Sequence, residues 1–233
     1  MPIVFKNRLC KIEKQSSDEF QLTLDGEKNK KYLQFVKKNL VIKQEKKNSF
    51  TFKAKNVETL KSLLKQKKEK LSYYHCKLLF LDMAKTIEHL ETLDLGIISL
   101  DLNDIIMVEF QDNKNMRSTS DDTKAVTYFF YLNIDKFVEL RNENLVINRP
   151  VNKSNLFISP EVKQIKHFPS TIKKQSTYYC LALLLCHCFS KITKNMDYDK
   201  LIKHLEMIKE TKLYWAILRC LEQNPEDRFL LFI

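Results

Sequence analysis

Glycine is almost missing from this chain: Gly26 and Gly96 are the only two in 233 residues. That scarcity excludes the Gly-rich loops that cradle phosphates, which need several residues able to adopt φ > 0 and to let backbone N–H groups approach the anion. Long apolar runs are missing too. No uninterrupted stretch approaches the roughly 18 residues of a membrane-spanning helix, so no membrane partner is expected. The opening MPIVFKNRLCKIEK is charged too early and too often for a secretory signal, which points to a cytoplasmic setting. Arginine is missing from residues 28–70, where fifteen lysines stand against Glu45, Glu58 and Glu69. The guanidinium is the preferred bidentate reader of phosphate, and this segment has none.

Cysteine is present but patterned against two uses. The six are Cys10, Cys76, Cys180, Cys186, Cys188 and Cys220. Four lie in apolar helical stretches, where a reduced thiol acts as a small core group. A disulfide framework does not suit a reducing compartment. Cys186, His187 and Cys188 are consecutive, so on a helix they point about 100° apart and do not converge on a metal. No metal site is expected.

What remains is an ordinary globular composition, 44% hydrophobic and 30% charged, with a net charge of +11. Residues 28–70 carry about the whole excess. Such a patch steers polyanions, so nucleic acid is one candidate partner through 28–70. A solvated lysine surface is the plainer reading.

Along the chain, FQLTL (20–24) alternates, and LVIKQ (40–44) with SFTFKA (49–54) reads as a hairpin. KNKKYLQFVKKN between them fits a short helix or another strand. From Asn56 the period changes. Val57, Leu60, Leu63 and Leu64 share a helical face after Asn56 as a candidate N-cap. Ser72 then caps a long helix whose stripe is Cys76, Phe80, Met83, Ile87 and Leu90. IISLDLNDIIMVEF (97–110) is β-rich, 111–124 is a polar loop, and AVTYFFYLN (125–133) and ENLVIN (143–148) are strands. QSTYYCLALLLCHCFSKI (175–192) is apolar nearly all round and predicts a central buried helix. Two amphipathic helices, DYDKLIKHLEMI and KLYWAILRCLEQ, complete the C-terminal third.

Read in order, several of these blocks resemble a eukaryotic protein kinase. SFTFKAKNVETLKSLLKQKKEKLS resembles the fifth strand, hinge and first C-lobe helix. YYHCKLLFLDMAKTIEHLETLDLGII resembles the long helix before the catalytic loop, and SLDLNDIIMV stands where HRDLKPENILV-type residues belong. FISPEV resembles the APE motif, STYYCLALLL the start of the central helix, and RCLEQNPEDRF the RCLxxDPxxRP ending. The resemblance covers about residues 50–230. It implies an α+β, protein-kinase-like fold, with a reduced β-rich N-lobe over residues 1–55 and a mainly helical C-lobe over 56–233.

Departures from the family pattern bear on function. Asp101 matches the aspartate that accepts the substrate proton. The His and Arg before it are Ser99 and Leu100, and the magnesium-binding Asn falls near Ile105 or Ile106. Asp135 in NIDKF matches the DFG aspartate, followed by Lys136 and Phe137. No lysine before residue 50 sits in a VAIK-like context. The central-helix aspartate is Thr177 and the usual glycine is Ala182. Glu161 and Arg228 match the APE glutamate and its arginine, and an ion pair between them is expected.

The resemblance thus implies a pseudokinase that binds or scaffolds a protein partner without a cofactor. One alternative is a divergent ATP- and magnesium-dependent serine/threonine kinase using Asp101 and Asp135. Another is a polyanion-binding protein using 28–70. The Lys/Asn-rich style is similar to kinase-like proteins of large DNA viruses, which would set the protein in host cytoplasm or a virion.

Overall fold

A computed structural model describes residues 1–25, 30–110, 126–194 and 196–231. The architecture is mixed α+β, with three antiparallel sheets and, among the described residues, seven α-helices. The chain forms two compact units. One comprises Met1–Leu63 and Leu102–Asp135, the other Leu64–Asp101 and Lys136–Ile233. The expected division at residues 55 and 56 follows a single crossing of the chain. The observed one follows three, because the strands after Leu102 pair with a strand that begins at Asn56.

In the first unit, β1 (Ile3–Lys6), β2 (Cys10–Lys14) and β3 (Glu19–Leu24) form a meander, extended by β4 (Val41–Lys46) and β5 (Ser49–Lys53) in the order β1-β2-β3-β5-β4. Alternation sets which face is buried: Phe20, Leu22 and Leu24 point inward with Phe50 and Phe52 of the neighbouring strand. β4 is an edge strand with Lys43 and Lys46 exposed, a placement that discourages pairing with another chain. Between β3 and β4 runs α1 (Lys30–Lys37), buried through Tyr32, Leu33 and Val36. That spacing of one and four residues is helical, and decides between the helix and strand readings of KNKKYLQFVKKN.

The second sheet has the order β6-β8-β9, from β6 (Asn56–Thr59), β8 (Ile105–Glu109) and β9 (Thr127–Tyr131). Asn56 is therefore a strand residue and not a helix cap. Thr59 takes that role, its hydroxyl accepting from Ser62 N at 3.1 Å as α2 (Leu60–Gln66) begins. Val57 buries in the sheet while Leu60, Leu63 and Leu64 bury on the helix. The expected 111–124 loop lies outside the described residues.

The second unit is mainly helical. Its long helix α3 (Tyr73–Glu91) starts at Ser72, whose hydroxyl accepts from His75 N, and buries Cys76, Phe80, Met83, Ile87 and Leu90. After it come β7 (Leu95–Ile97), β10 (Phe137–Arg141), β11 (Asn144–Ile147) and β12 (Ser170–Lys173), paired as β12-β11-β10-β7. Gly96 sits in β7 opposite Val138. A Cβ there would fall 2.2 Å from Leu145 Cδ2, so this position tolerates no side chain without repacking.

A short helix α4 (Pro160–Gln164) precedes the central helix α5 (Ser176–Phe189), in which every residue but His187 is buried. α3 and α7 (Lys212–Cys220) pack against it, as does α6 (Tyr198–His204). All six cysteines are free and buried. Burial pushes the thiols of Cys10, Cys180, Cys186 and Cys220 up to about 12, and those of Cys76 and Cys188 upward as well.

Candidate functional site

In the first unit, the segment leaving β9 meets two other parts of the chain. Backbone N–H of Leu132 donates to Asp104 O at 2.8 Å, and Asn133 Nδ2 donates to Asp104 Oδ1 at 2.9 Å. Asp104 is 7% exposed and stands immediately before β8. Ile105 and Ile106, where the kinase resemblance would set a magnesium-binding asparagine, are both fully buried strand residues. Asp104 is thus the oxygen-bearing side chain at the mouth of β8. Asn133 Oδ1 is buried without a hydrogen-bond partner. Tyr32 of α1 donates its hydroxyl to Tyr131 O at 2.6 Å, fixing the end of β9 from the helix side.

The turn between β1 and β2 approaches from the other direction. Asn7 Oδ1 accepts from Leu9 N at 3.0 Å and from Cys10 N at 2.6 Å, the self-bonding that makes Asn a turn residue. Its Nδ2 donates to Leu132 O at 2.9 Å, binding the turn to the end of β9. Arg8 at the tip reaches Asp135, with Nε 3.0 Å from Oδ1 and Nη2 closer still. The hydrogen bond, then the charge, of Asp135 raises the Arg8 guanidinium above its ordinary value. Asp135 lies in a 3₁₀ turn, Ile134–Lys136, with its side chain 20% exposed. The Asp135 carboxylate therefore already faces the Arg8 guanidinium.

Two further features of this unit are compositional. β3 reads Glu-Phe-Gln-Leu-Thr-Leu and contains no lysine. α1 reads KKYLQFVK and contains no acid. The lysines of 28–70 are partly engaged elsewhere: Lys37 pairs with Glu45, Lys43 with Glu19 at 3.0 Å, and Lys55 with Glu109 at 2.9 Å.

The remaining sequence-singled residues lie in the second unit. Asp101 is half-buried and follows Leu100, which is fully buried. The backbone before Asp101 is held at three points. Thr177 Oγ1 donates to Ile97 O at 2.6 Å, Cys180 Sγ to Ile98 O at 3.7 Å, and Asn155 Nδ2 to Leu100 O at 2.8 Å. Thr177 thus ties the central helix to the last residue of β7.

Glu161 and Arg228 come together as a bidentate pair. Nη2 is 2.8 Å from Oε1 and Nη1 is 3.1 Å from Oε2. Arg228 also donates to Glu222 O at 2.6 Å and Gln223 O at 3.0 Å, and its guanidinium lies 4.7 Å from the Tyr179 ring centroid. Ser176 Oγ donates to Glu161 Oε2 at 3.0 Å. Burial pushes the Glu161 carboxyl up, but hydrogen bonds from Arg228 and Ser159 and the charge of Arg228 outweigh it, leaving a net value below the ordinary one.

Arg8, Asn7, Asp104 and Asn133 escaped sequence reasoning. Asn7 carried a signal, an Asn before a strand with a bonding pattern common in turns. Asp104 carried one too, a lone acid directly before the apolar run IIMV. Among the described residues, no group of three His, Cys, Asp or Glu side chains is arranged to hold a metal. Among these residues no helix is long and apolar enough to cross a membrane. No protein-family model matches this chain, and neither does any curated protein sequence.

Proposed function

We propose that this chain is a kinase-like protein that has lost phosphoryl transfer and works as a binding or scaffold module for a protein partner. The observation that carries the reading is the Arg8–Asp135 pair. In a kinase, the DFG aspartate holds magnesium under a Gly-rich loop. Here the first hairpin turn has no glycine and delivers a guanidinium to the matching carboxylate. Support comes also from the third strand without a lysine and the following helix without a glutamate, which together would hold the α- and β-phosphates. The kinase-like fold itself rests on the motif order from residue 50 to 230. It gains support from the Glu161–Arg228 clasp and the long, central and C-terminal helices in sequence order.

A divergent ATP-dependent kinase is the second reading, favoured by one observation. Asp104 supplies a hard oxygen immediately before β8, where asparagine would serve. Thermal unfolding of the purified chain with ATP and Mg²⁺ separates the two. A ligand at 100 times its Kd stabilises by about 2.7 kcal/mol, a shift of several degrees. The module reading expects no shift at millimolar ATP and Mg²⁺; a saturable rise in Tm defeats it. Partner class is read from salt. Association through the 28–70 lysines with a polyanion weakens steeply between 50 and 200 mM salt, as is usual for phosphate-backbone contacts. A protein interface of the proposed kind does not.

A further inference from the structure

The second unit contains a small pocket of about 60 Å³. Its rim carries three lysines, Lys153, Lys163 and Lys194, and among the described residues no acidic side chain lines it. The floor is apolar, from Tyr179 and Leu183 of α5, with Ile192 and Leu201. Lys163 lies on α4 directly after the Glu161–Val162 step, and Lys194 follows α5 by five residues. Three separate stretches of chain thus bring their cations to one opening.

These cations have spare capacity. Lys153 Nζ donates to Ile165 O, which uses one of its three N–H groups. Lys163 and Lys194 are exposed and make no ion pair among the described residues. The nearest acids in sequence are occupied. Glu161 is held by Arg228, and Asp197 pairs with Lys200 at 2.8 Å. Asn155 in the lining is spent mainly on backbone, donating to Leu100 O and accepting from Phe157 N. Thr193 adds a hydroxyl.

Size and charge select the ligand class. The cavity is several times the roughly 10–15 Å³ that one water needs, and far below the roughly 300–1,000 Å³ of a nucleotide- or drug-sized site. It suits one tetrahedral oxyanion. Lysine binds phosphate as a compact point charge with rotatable donors, which fits a dianion approached from three sides. We propose that this pocket binds a single phosphate group, either as the free anion or esterified on a peptide side chain whose methylene meets the apolar floor. The pocket stands whether or not the kinase-like reading does.

The test uses the full chain and isothermal titration at fixed ionic strength, with three probes: inorganic phosphate, a phosphoserine peptide and its unphosphorylated twin. Lys163→Ala combined with Lys194→Ala removes two rim cations from exposed positions and spares the fold. Lys65→Ala combined with Lys67→Ala removes the same charge from α2 and the turn after it. The expected result is saturable binding of a phosphate-bearing probe, about tenfold or more weaker in the rim variant, with the α2 control within about twofold of the parent. A phosphopeptide binding much more tightly than phosphate assigns the group to a peptide; equal affinities assign it to the free anion. Equal loss in both variants, equal binding of the unphosphorylated twin, or no saturable binding overturns the proposal.

Discussion

Arg8 and Arg228 each grip a carboxylate, yet the first guanidinium is 75% exposed and the second 0%. The Arg8 side chain reaches Asp135 and, among the described residues, makes no other hydrogen bond. The Arg228 side chain is enclosed by Tyr179, two backbone carbonyls and Glu161. Identical chemistry therefore has two different weights. An exposed pair contributes little to stability because water and salt screen it. A buried one, once formed, is hard to break because either partner left alone is a charge without solvent. The first pair changes what a carboxylate can bind. The second keeps α4 attached to the C-terminal segment.

Substitutions can sharpen this contrast. Glu161→Ala should cost about 3–5 kcal/mol in urea unfolding, because it strands a fully buried guanidinium. A loss below about 1 kcal/mol would place the pair among surface bridges. Gly96→Ala should come next, at about 1–3 kcal/mol, from overpacking against Leu145. Its cost has no electrostatic part, so it should not vary with salt.

A smaller effect is expected from pH. Glu161 is held below its ordinary value in the folded chain, so its contribution is present above the ordinary glutamate range. It disappears as pH falls through the lower folded value. Urea midpoints of the parent should drop across that acid window, and Glu161→Gln should flatten that part of the curve. A parallel drop in both proteins would assign the acid sensitivity to other carboxylates. The smallest stability effect belongs to Arg8→Ala, which should leave the urea midpoint unchanged within error while taking the guanidinium away from Asp135. Magnesium-dependent stabilisation appearing only in Arg8→Ala would identify Arg8 as the group that occupies the cation position. A large loss of stability would instead make it a structural clasp like Arg228.

The two pairs also differ in how much of them could be read from the chain. Glu161 and Arg228 sit in segments with recognisable neighbours, Ser159-Pro160 before one and the helix KLYWAILRC ahead of the other. Arg8 and Asp135 are 127 residues apart, and nothing local in either segment points to the other. Long helices were legible because caps and a 3.6-residue period coincide, as at Ser72 and along Cys76, Phe80 and Met83. Short strands were less so. β10 reads FVELR and β12 reads STIK, both half-polar, and their pairing depends on neighbours far along the chain. The strand at Asn56–Thr59 was hidden because Val57 suits a helical face as well as a sheet. Asp104 was missed because its partners, Leu132 and Asn133, lie far along the chain. The 1–55 boundary likewise ignored the return of Leu102–Asp135, a consequence of β6 pairing with β8.

The six enclosed thiols have a practical consequence. With every native thiol buried and shifted by that burial toward its protonated form, the folded chain offers maleimides and iodoacetamides almost nothing to attack. A single cysteine introduced at an exposed site, such as Lys65 on α2, would be the one fast-labelling position. The wild-type background therefore suits fluorophore or spin-label attachment without prior removal of its own cysteines.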